Sequence, residues 1–206
     1  MNPSFYVVYP SDDTIRLYIN AIRVIAEENQ RSQVHITMRG PYKKQLPKKK
    51  IEELSTLIKG EEIFVINVGN FFNSNQNTVF FTCAETDNLR KVWKKTTYTD
   101  FNPHLTIYDG DDNEYAKQLY SILKEQFVPY SFHIQELSWL EPKNKEKLEL
   151  FHLKTLIDFD KISSIIDFDL NFSTLQVLDK NERLKFISIL AKKLYEMKNN
   201  CCQHAV

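Results

Sequence analysis

The chain has 206 residues, with 27 Lys plus Arg against 27 Asp plus Glu and only four glycines. Glycine at about 2%, against a typical ~7%, and the lack of both G-x-G-x-x-G and G-x-x-x-x-G-K-[ST] exclude a dinucleotide fingerprint and a Walker loop. Zero net charge excludes a protein that coats long duplex nucleic acid, because that binding draws on many Lys and Arg neutralising phosphates.

Length predicts one to two domains, and 42% apolar residues with 13% aromatics are ample for a packed core. The start MNPSFYVVYPSDD has no basic and apolar leader, and no apolar run approaches the ~18 residues of a membrane span. The expected location is the cytoplasm, with no membrane partner. Cys83, Cys201 and Cys202 are odd in number and not spaced as a disulfide framework, so reduced thiols are expected.

In chain order, Phe5 to Tyr9 is an aromatic and β-branched run stopped by Pro10, which predicts a strand. Ser11, Asp12 and Asp13 are capping residues for a helix in which Ile15, Tyr18, Ile19, Ile22, Ile25 and Ala26 recur at helical spacing down to about Gln30. The period then changes. From Gln33 to Arg39, Val34, Ile36 and Met38 alternate with His35, Thr37 and Arg39, the pattern of a two-faced strand, and Gly40-Pro41 is expected to end it. After a lysine-rich loop, Ile51, Leu54, Leu57 and Ile58 fit a short helix stopped by Gly60.

Glu62 to Val68 and Thr78 to Cys83 predict a hairpin around the turn-rich Asn73 to Asn77. Leu89, Val92 and Trp93 predict a brief helix, and Pro103 to Asp109 a second alternating strand. Tyr115, Leu119, Ile122, Leu123 and Gln126 place a helix broken at Val128-Pro129, and Tyr130 to Leu140 reads as one strand. Glu141-Pro142 and the charged run Lys143 to Lys147 form the best boundary, dividing a domain at 1–142 from an extension at 143–206. Leu148 to Phe159 fits strand or helix equally. Leu184, Ile187, Leu190 and Leu194 predict an amphipathic helix to about Met197, with Lys198 to Val206 frayed.

Chemistry is concentrated in a repeated motif. His35-Ile36-Thr37 and His104-Leu105-Thr106 stand 69 residues apart, each on a strand of alternating polarity. Side chains at i and i+2 of a strand share a face, so each motif projects an imidazole and a hydroxyl together. Cleaving a phosphodiester needs one proton taken, one given, and donors to the non-bridging oxygens. Two histidines with unperturbed pKa near ~6.5 divide the proton transfers, the threonines supply donors, and no metal is required. The sequence leaves open which histidine is the base.

The strings HITMRGPY (His35 to Tyr42) and NPHLTIYDG (Asn102 to Gly110) resemble the two signatures of the two-histidine (2H) phosphoesterase superfamily, which includes 2′-5′ RNA ligase-like proteins and cyclic phosphodiesterases. The resemblance covers roughly Ser4 to Leu140. It implies an α+β fold of two pseudo-symmetric lobes, with antiparallel sheets lining a central cleft and helices outside, followed here by a largely helical C-terminal extension. It implies a hydrolase without cofactor or metal, acting on 2′-5′ or cyclic phosphodiesters of small nucleotides or RNA ends. His35 and His104 become the acid/base pair, and Thr37 and Thr106 the phosphate clamp. A non-catalytic protein binding or sequestering a cyclic nucleotide or oligonucleotide on the same fold is the alternative.

Arg39 shares the alternation of His35 and Thr37 and is expected to bind a phosphate or form a surface ion pair. Tyr9, Tyr42 and Tyr108 are candidates to stack on a base, with ordinary packing as the plainer reading. Lys43 to Lys50 and the group Arg90, Lys91, Lys94 and Lys95 read as solvated faces able to attract an anion. His133, His152 and His204 lack a Thr two residues on and read as structural or surface residues, and Cys83 as a small buried hydrophobe. The expected partner of this monomer is a small nucleotide, cyclic nucleotide or short RNA.

Overall fold

A computed structural model describes residues 4–27, 32–73, 76–94, 100–141 and 156–202, the last five of these by backbone alone. In chain order the elements are β1 (Ser4–Val8), α1 (Asp13–Ala26), β2 (Ile36–Tyr42), α2 (Lys48–Ile58), β3 (Glu62–Asn73), β4 (Gln76–Cys83), α3 (Asp87–Val92), β5 (His104–Asp109), α4 (Asn113–Glu125), β6 (Tyr130–His133), β7 (Ser138–Leu140), α5 (Phe159–Ile166), α6 (Phe172–Val177) and α7 (Lys180–Cys202). The fold is α+β. Antiparallel strands form a three-stranded sheet in the order β2-β1-β7 and a four-stranded sheet in the order β5-β4-β3-β6. Each histidine motif therefore lies at the edge of its own sheet, and the two edges, β2 and β5, approach each other.

Local chemistry sets the helix starts. Asp12 accepts from the Ile15 N–H at 2.9 Å, Thr86 from Leu89 at 3.2 Å, Asp112 from Tyr115 at 3.0 Å and Asp158 from Lys161 at 3.1 Å, each satisfying an otherwise orphaned amide. Asn171 and Thr174 form a reciprocal capping box at α6. Among the described residues no helix is long and apolar enough to cross a membrane.

Several boundaries differ from expectation. Helix α1 closes at Ala26, where the Glu27 N–H reaches the Arg23 carbonyl, earlier than Gln30, which lies outside the described residues. Strand β2 starts at Ile36 and continues through Gly40-Pro41 to Tyr42. Proline is tolerated because β2 is an edge strand with no partner on its outer side. Gly40 takes φ +134°, and a Cβ there would lie 3.0 Å from the Ser4 carbonyl oxygen, so only glycine lets the strand pass. The β3–β4 hairpin pairs out to Asn73 and Gln76, because Phe71 and Phe72 find partners in Phe80 and Tyr120. The single strand expected over Tyr130 to Leu140 divides into β6 and β7, which belong to different sheets, so this segment crosses between the lobes. The run Lys143 to Lys147 and most of Leu148 to Phe159 lie outside the described residues; Phe159 itself begins α5.

The C-terminal helix α7 reaches Cys202, beyond the expected end near Met197, and packs against both α1 and α4. Leu184, Ile187, Leu190, Ala191, Leu194 and Tyr195 are buried along it. Its polar ties reach both helices as well. Lys180 pairs with Asp112, the Tyr195 hydroxyl donates to the Leu123 carbonyl at 3.2 Å, and Gln126 Nε2 donates to Ser188 Oγ at 3.1 Å. Arg183 donates to three carbonyls, Ile25 at the end of α1 (2.9 Å), Leu175 (2.7 Å) and Leu178 (3.1 Å), which are the acceptors a helix C-terminus leaves open. Replacing Arg183 with methionine keeps the aliphatic stem but strands these acceptors. A loss of about 2 kcal/mol in urea unfolding is expected, and an unchanged midpoint would contradict the clasp.

Candidate active site

Each histidine is fixed by the same local device. His35 Nδ1 lies 2.7 Å from the Gln33 carbonyl, and His104 Nδ1 lies 2.7 Å from the Asn102 carbonyl, both two residues upstream. A carbonyl only accepts, so Nδ1 carries the hydrogen on both rings and Nε2 is left as the working nitrogen. Both rings are half-buried, with Thr37 exposed and Thr106 half-buried beside them. The cross-strand partners of the threonines are apolar. Val7 pairs with Thr37 and Phe80 with Thr106, and both are buried, giving each lobe an apolar floor.

The environments of the two rings differ. Tyr9 meets His35 edge-on with ring centroids 6.1 Å apart. His104 lies against Phe80 at 4.8 Å and Phe71 at 5.8 Å. Desolvation pushes His35 down to about 4, with further lowering from Arg23 and from His104, opposed by the Gln33 hydrogen bond. Desolvation lowers His104 too, but the Asn102 hydrogen bond and the Asp109 carboxylate oppose it. The lowering that His104 exerts on His35 accords with the approach of β2 to β5.

The alternation that placed Arg39 and Tyr108 beside the motifs is broken in the same way in both lobes. Thr37 pairs with Val7, yet Arg39 pairs with Tyr6, so Met38 is an extra residue; Thr106 pairs with Phe80, yet Tyr108 pairs with Val79, so Ile107 is extra. A bulge immediately after the threonine shifts the facing of the residues beyond it. Tyr108 is turned into the core, edge-on to Tyr115 at 5.5 Å, with its hydroxyl accepting from the Asp112 N–H at 3.3 Å. Arg39 stands opposite the fully buried Tyr6, and its Nε is buried without a hydrogen-bond partner.

Tyr42 sits at the far end of β2 and packs on Tyr6 at 5.9 Å, away from His35. Tyr9 is thus the one tyrosine of the three that stands at a motif histidine. Arg90 pairs with Glu85 and lies over Phe101 at 5.8 Å, while Lys48 and Lys50 pair with Glu52 and Glu53. His133 is exposed on β6; His152 and His204 lie outside the described residues. Cys83 is buried, which raises its thiol pKa. Among the described residues no group of three or more His, Cys, Asp or Glu is assembled as a metal site. A cavity of about 580 Å³ between α1 and Leu156–Asp160 reaches Gln33 but is lined by neither histidine.

Four supporting residues escaped the sequence reading. Asn20 and Arg23 are buried polar residues on α1. Asn20 Oδ1 accepts from the Val34 N–H at 2.7 Å and Arg23 donates to the Ser32 carbonyl at 2.8 Å, so together they hold the loop whose Gln33 carbonyl orients His35. Their signal was two polar residues, three apart, interrupting an apolar helix face. Phe80 supports His104 and in turn rests on Gly69, where a Cβ would lie 2.6 Å from Phe80 Cζ and 2.9 Å from Thr82 Oγ1. A glycine directly after the expected strand Glu62 to Val68 was the available signal.

The family model of the 2′-5′ RNA ligase superfamily matches residues 11–146, well over half of the chain and including both histidine motifs. The chain belongs to the 2′-5′ RNA ligase superfamily. No curated protein and no solved structure matches it. Helices α5–α7 fall beyond the matched range, so this superfamily member carries its two-lobe brace outside the family match. In it, Gly69→Ala should displace Phe80, reduce stability by about 1–3 kcal/mol, and change the NMR titration of His104 while leaving that of His35 in place. Equal effects on the two imidazoles would refute the selective support.

Proposed function

We propose that the protein is a metal-independent phosphodiesterase that cleaves a 2′-5′ or cyclic phosphodiester in a small nucleotide or RNA end. The observation that carries this reading is the matched pair of Nδ1–H hydrogen bonds, which leaves two Nε2 atoms free for proton transfer at the meeting of two sheet edges. His35, neutral over most of the pH range because burial and Arg23 hold it near 4, takes the proton of the attacking water. His104, which Asp109 draws back toward its charged form, gives a proton to the departing oxygen. The P–O bond to that oxygen breaks as the bond to water forms, and the Thr37 and Thr106 hydroxyls donate to the non-bridging oxygens. Binding of the anionic phosphodiester favours the protonated form of His104.

Membership of the superfamily supports the chemistry, and zero net charge suits a ligand with few phosphates. The direct test offers three substrate classes, 2′,3′-cyclic RNA ends, 2′-5′ oligonucleotides and cyclic signalling nucleotides, with chelator present. Turnover of one class is expected, and His35→Ala or His104→Ala should each lower it at least ~10²-fold. Activity that appears only with an added divalent ion would defeat the mechanism. The free enzyme's kcat/KM should rise as pH passes about 4, where His35 loses its proton, and fall at a point below the usual 6.5, where His104 loses its own. An acid limb centred on 6.5 would show that His35 is not the buried base.

A further inference from the structure

Of the four large apolar side chains that stand exposed among the described residues, two are neighbours on β3, Phe64 and Ile66, each 49% exposed. Their location is specific. Val65 points into the core and is fully buried, so Phe64 and Ile66 project from the opposite face of the sheet. That face is the one that carries the second motif. Ile66 is the extra residue of a bulge opposite Thr82, since Val65 pairs with Cys83 and Asn67 with Thr82, and Thr82 is in turn the partner of His104. One row across the sheet therefore runs His104, Thr82, Asn67, spanning two strand spacings, or about 10 Å, with the bulged Ile66 beside Asn67. Phe64 lies off this row, two residues before Ile66 and about 7 Å from it along β3, beside Ser131 of β6.

An aromatic ring and an aliphatic side chain left open on the sheet face that carries the second motif fit a flat, weakly polar ligand group. Stacking of a base on an aromatic ring contributes roughly 1–3 kcal/mol and tolerates any base. With the phosphodiester between the histidines, a ring two strands away is too far for a base that stays folded over its own phosphate, and suits the nucleoside on the other side of the scissile bond. The charge around it limits how far the strand extends. Glu62 shares this face, with its Oε1 accepting from Ser131 Oγ at 2.6 Å, and a carboxylate there disfavours a further phosphate.

We propose that Phe64 and Ile66 form a base platform continuous with His104 and Thr106, and that the substrate is a dinucleotide or single-stranded end whose terminal nucleoside stacks on Phe64. This rests on the phosphodiesterase reading and narrows it, favouring a substrate with two nucleosides over a cyclic mononucleotide. The test compares kcat/KM for a 2′-5′ dinucleoside monophosphate with that for a nucleoside 2′,3′-cyclic phosphate, in the wild type, Phe64→Ala and Phe64→Trp. The ratio of dinucleotide to cyclic mononucleotide should fall about tenfold in Phe64→Ala, through KM, and be restored in Phe64→Trp. An unchanged ratio overturns the platform while leaving the phosphodiesterase intact. If the wild type cleaves neither compound, the activity reading fails and the platform is judged by binding alone. A 2-aminopurine base in the dinucleotide should then be quenched by the wild type and not by Phe64→Ala, and equal quenching overturns it. Concentration-dependent dimerisation of the wild type that Phe64→Ala abolishes would assign the patch to self-association and overturn it as well.

Discussion

Two sheet edges that face each other without pairing are the constraint on which the rest of the molecule depends. Strands β2 and β5 each pair with one neighbouring strand only, and an open edge ordinarily invites another strand. Here each edge is interrupted by a bulge directly after its threonine, and β2 also contains a proline that offers no N–H. The two edges belong to different sheets and do not pair with each other, and a histidine stands at the start of each. The His-x-Thr spacing and the bulge are parts of one device, in which two residues face the cleft before the strand turns its next side chain elsewhere.

Backbone symmetry does not carry over into the electrostatics. The same Nδ1-to-carbonyl hydrogen bond holds both rings, but Arg23 and Tyr9 act on His35, whereas aromatic rings and the charge of Asp109 act on His104. Environments that push two otherwise identical groups apart are what separate an acid from a base. Arg23 has a double part in this. It secures the loop before His35 through the Ser32 carbonyl, and its positive charge adds to the desolvation that lowers the neighbouring imidazole; burial lowers its own pKa to about 10.

The core of each motif was legible because period and chemistry agree. Val34, Ile36 and Met38 are buried, as are Leu105 and Ile107, and the polar residues between them are the site candidates. What alternation cannot reveal is the residue at which it stops. The bulges at Met38 and Ile107 leave no mark in composition, so Arg39 and Tyr108 were assigned to the cleft by a period that had already ended. The helix caps were readable at Asp12, where a capping side chain precedes an apolar stripe. Segment 130–140 read as one strand because aromatic residues fall in both β6 and β7, and only long-range pairing divides them. Asn20 and Arg23 were hidden for a related reason, since a polar residue on a helix shows its role only through the loop it meets.

The Arg183 contact with the Ile25 carbonyl joins residues 158 positions apart, and α7 covers much of the outer side of α1. This sets an order of events at the ribosome. Helix α1 leaves the exit tunnel early, yet the surface that shields it is made near the end of the chain, on the order of ten seconds or more later at ordinary elongation rates. Until then the Ile25 carbonyl lacks its Arg183 donor. The nascent two-lobe region thus leaves the ribosome before the helix that packs on both α1 and α4 is made.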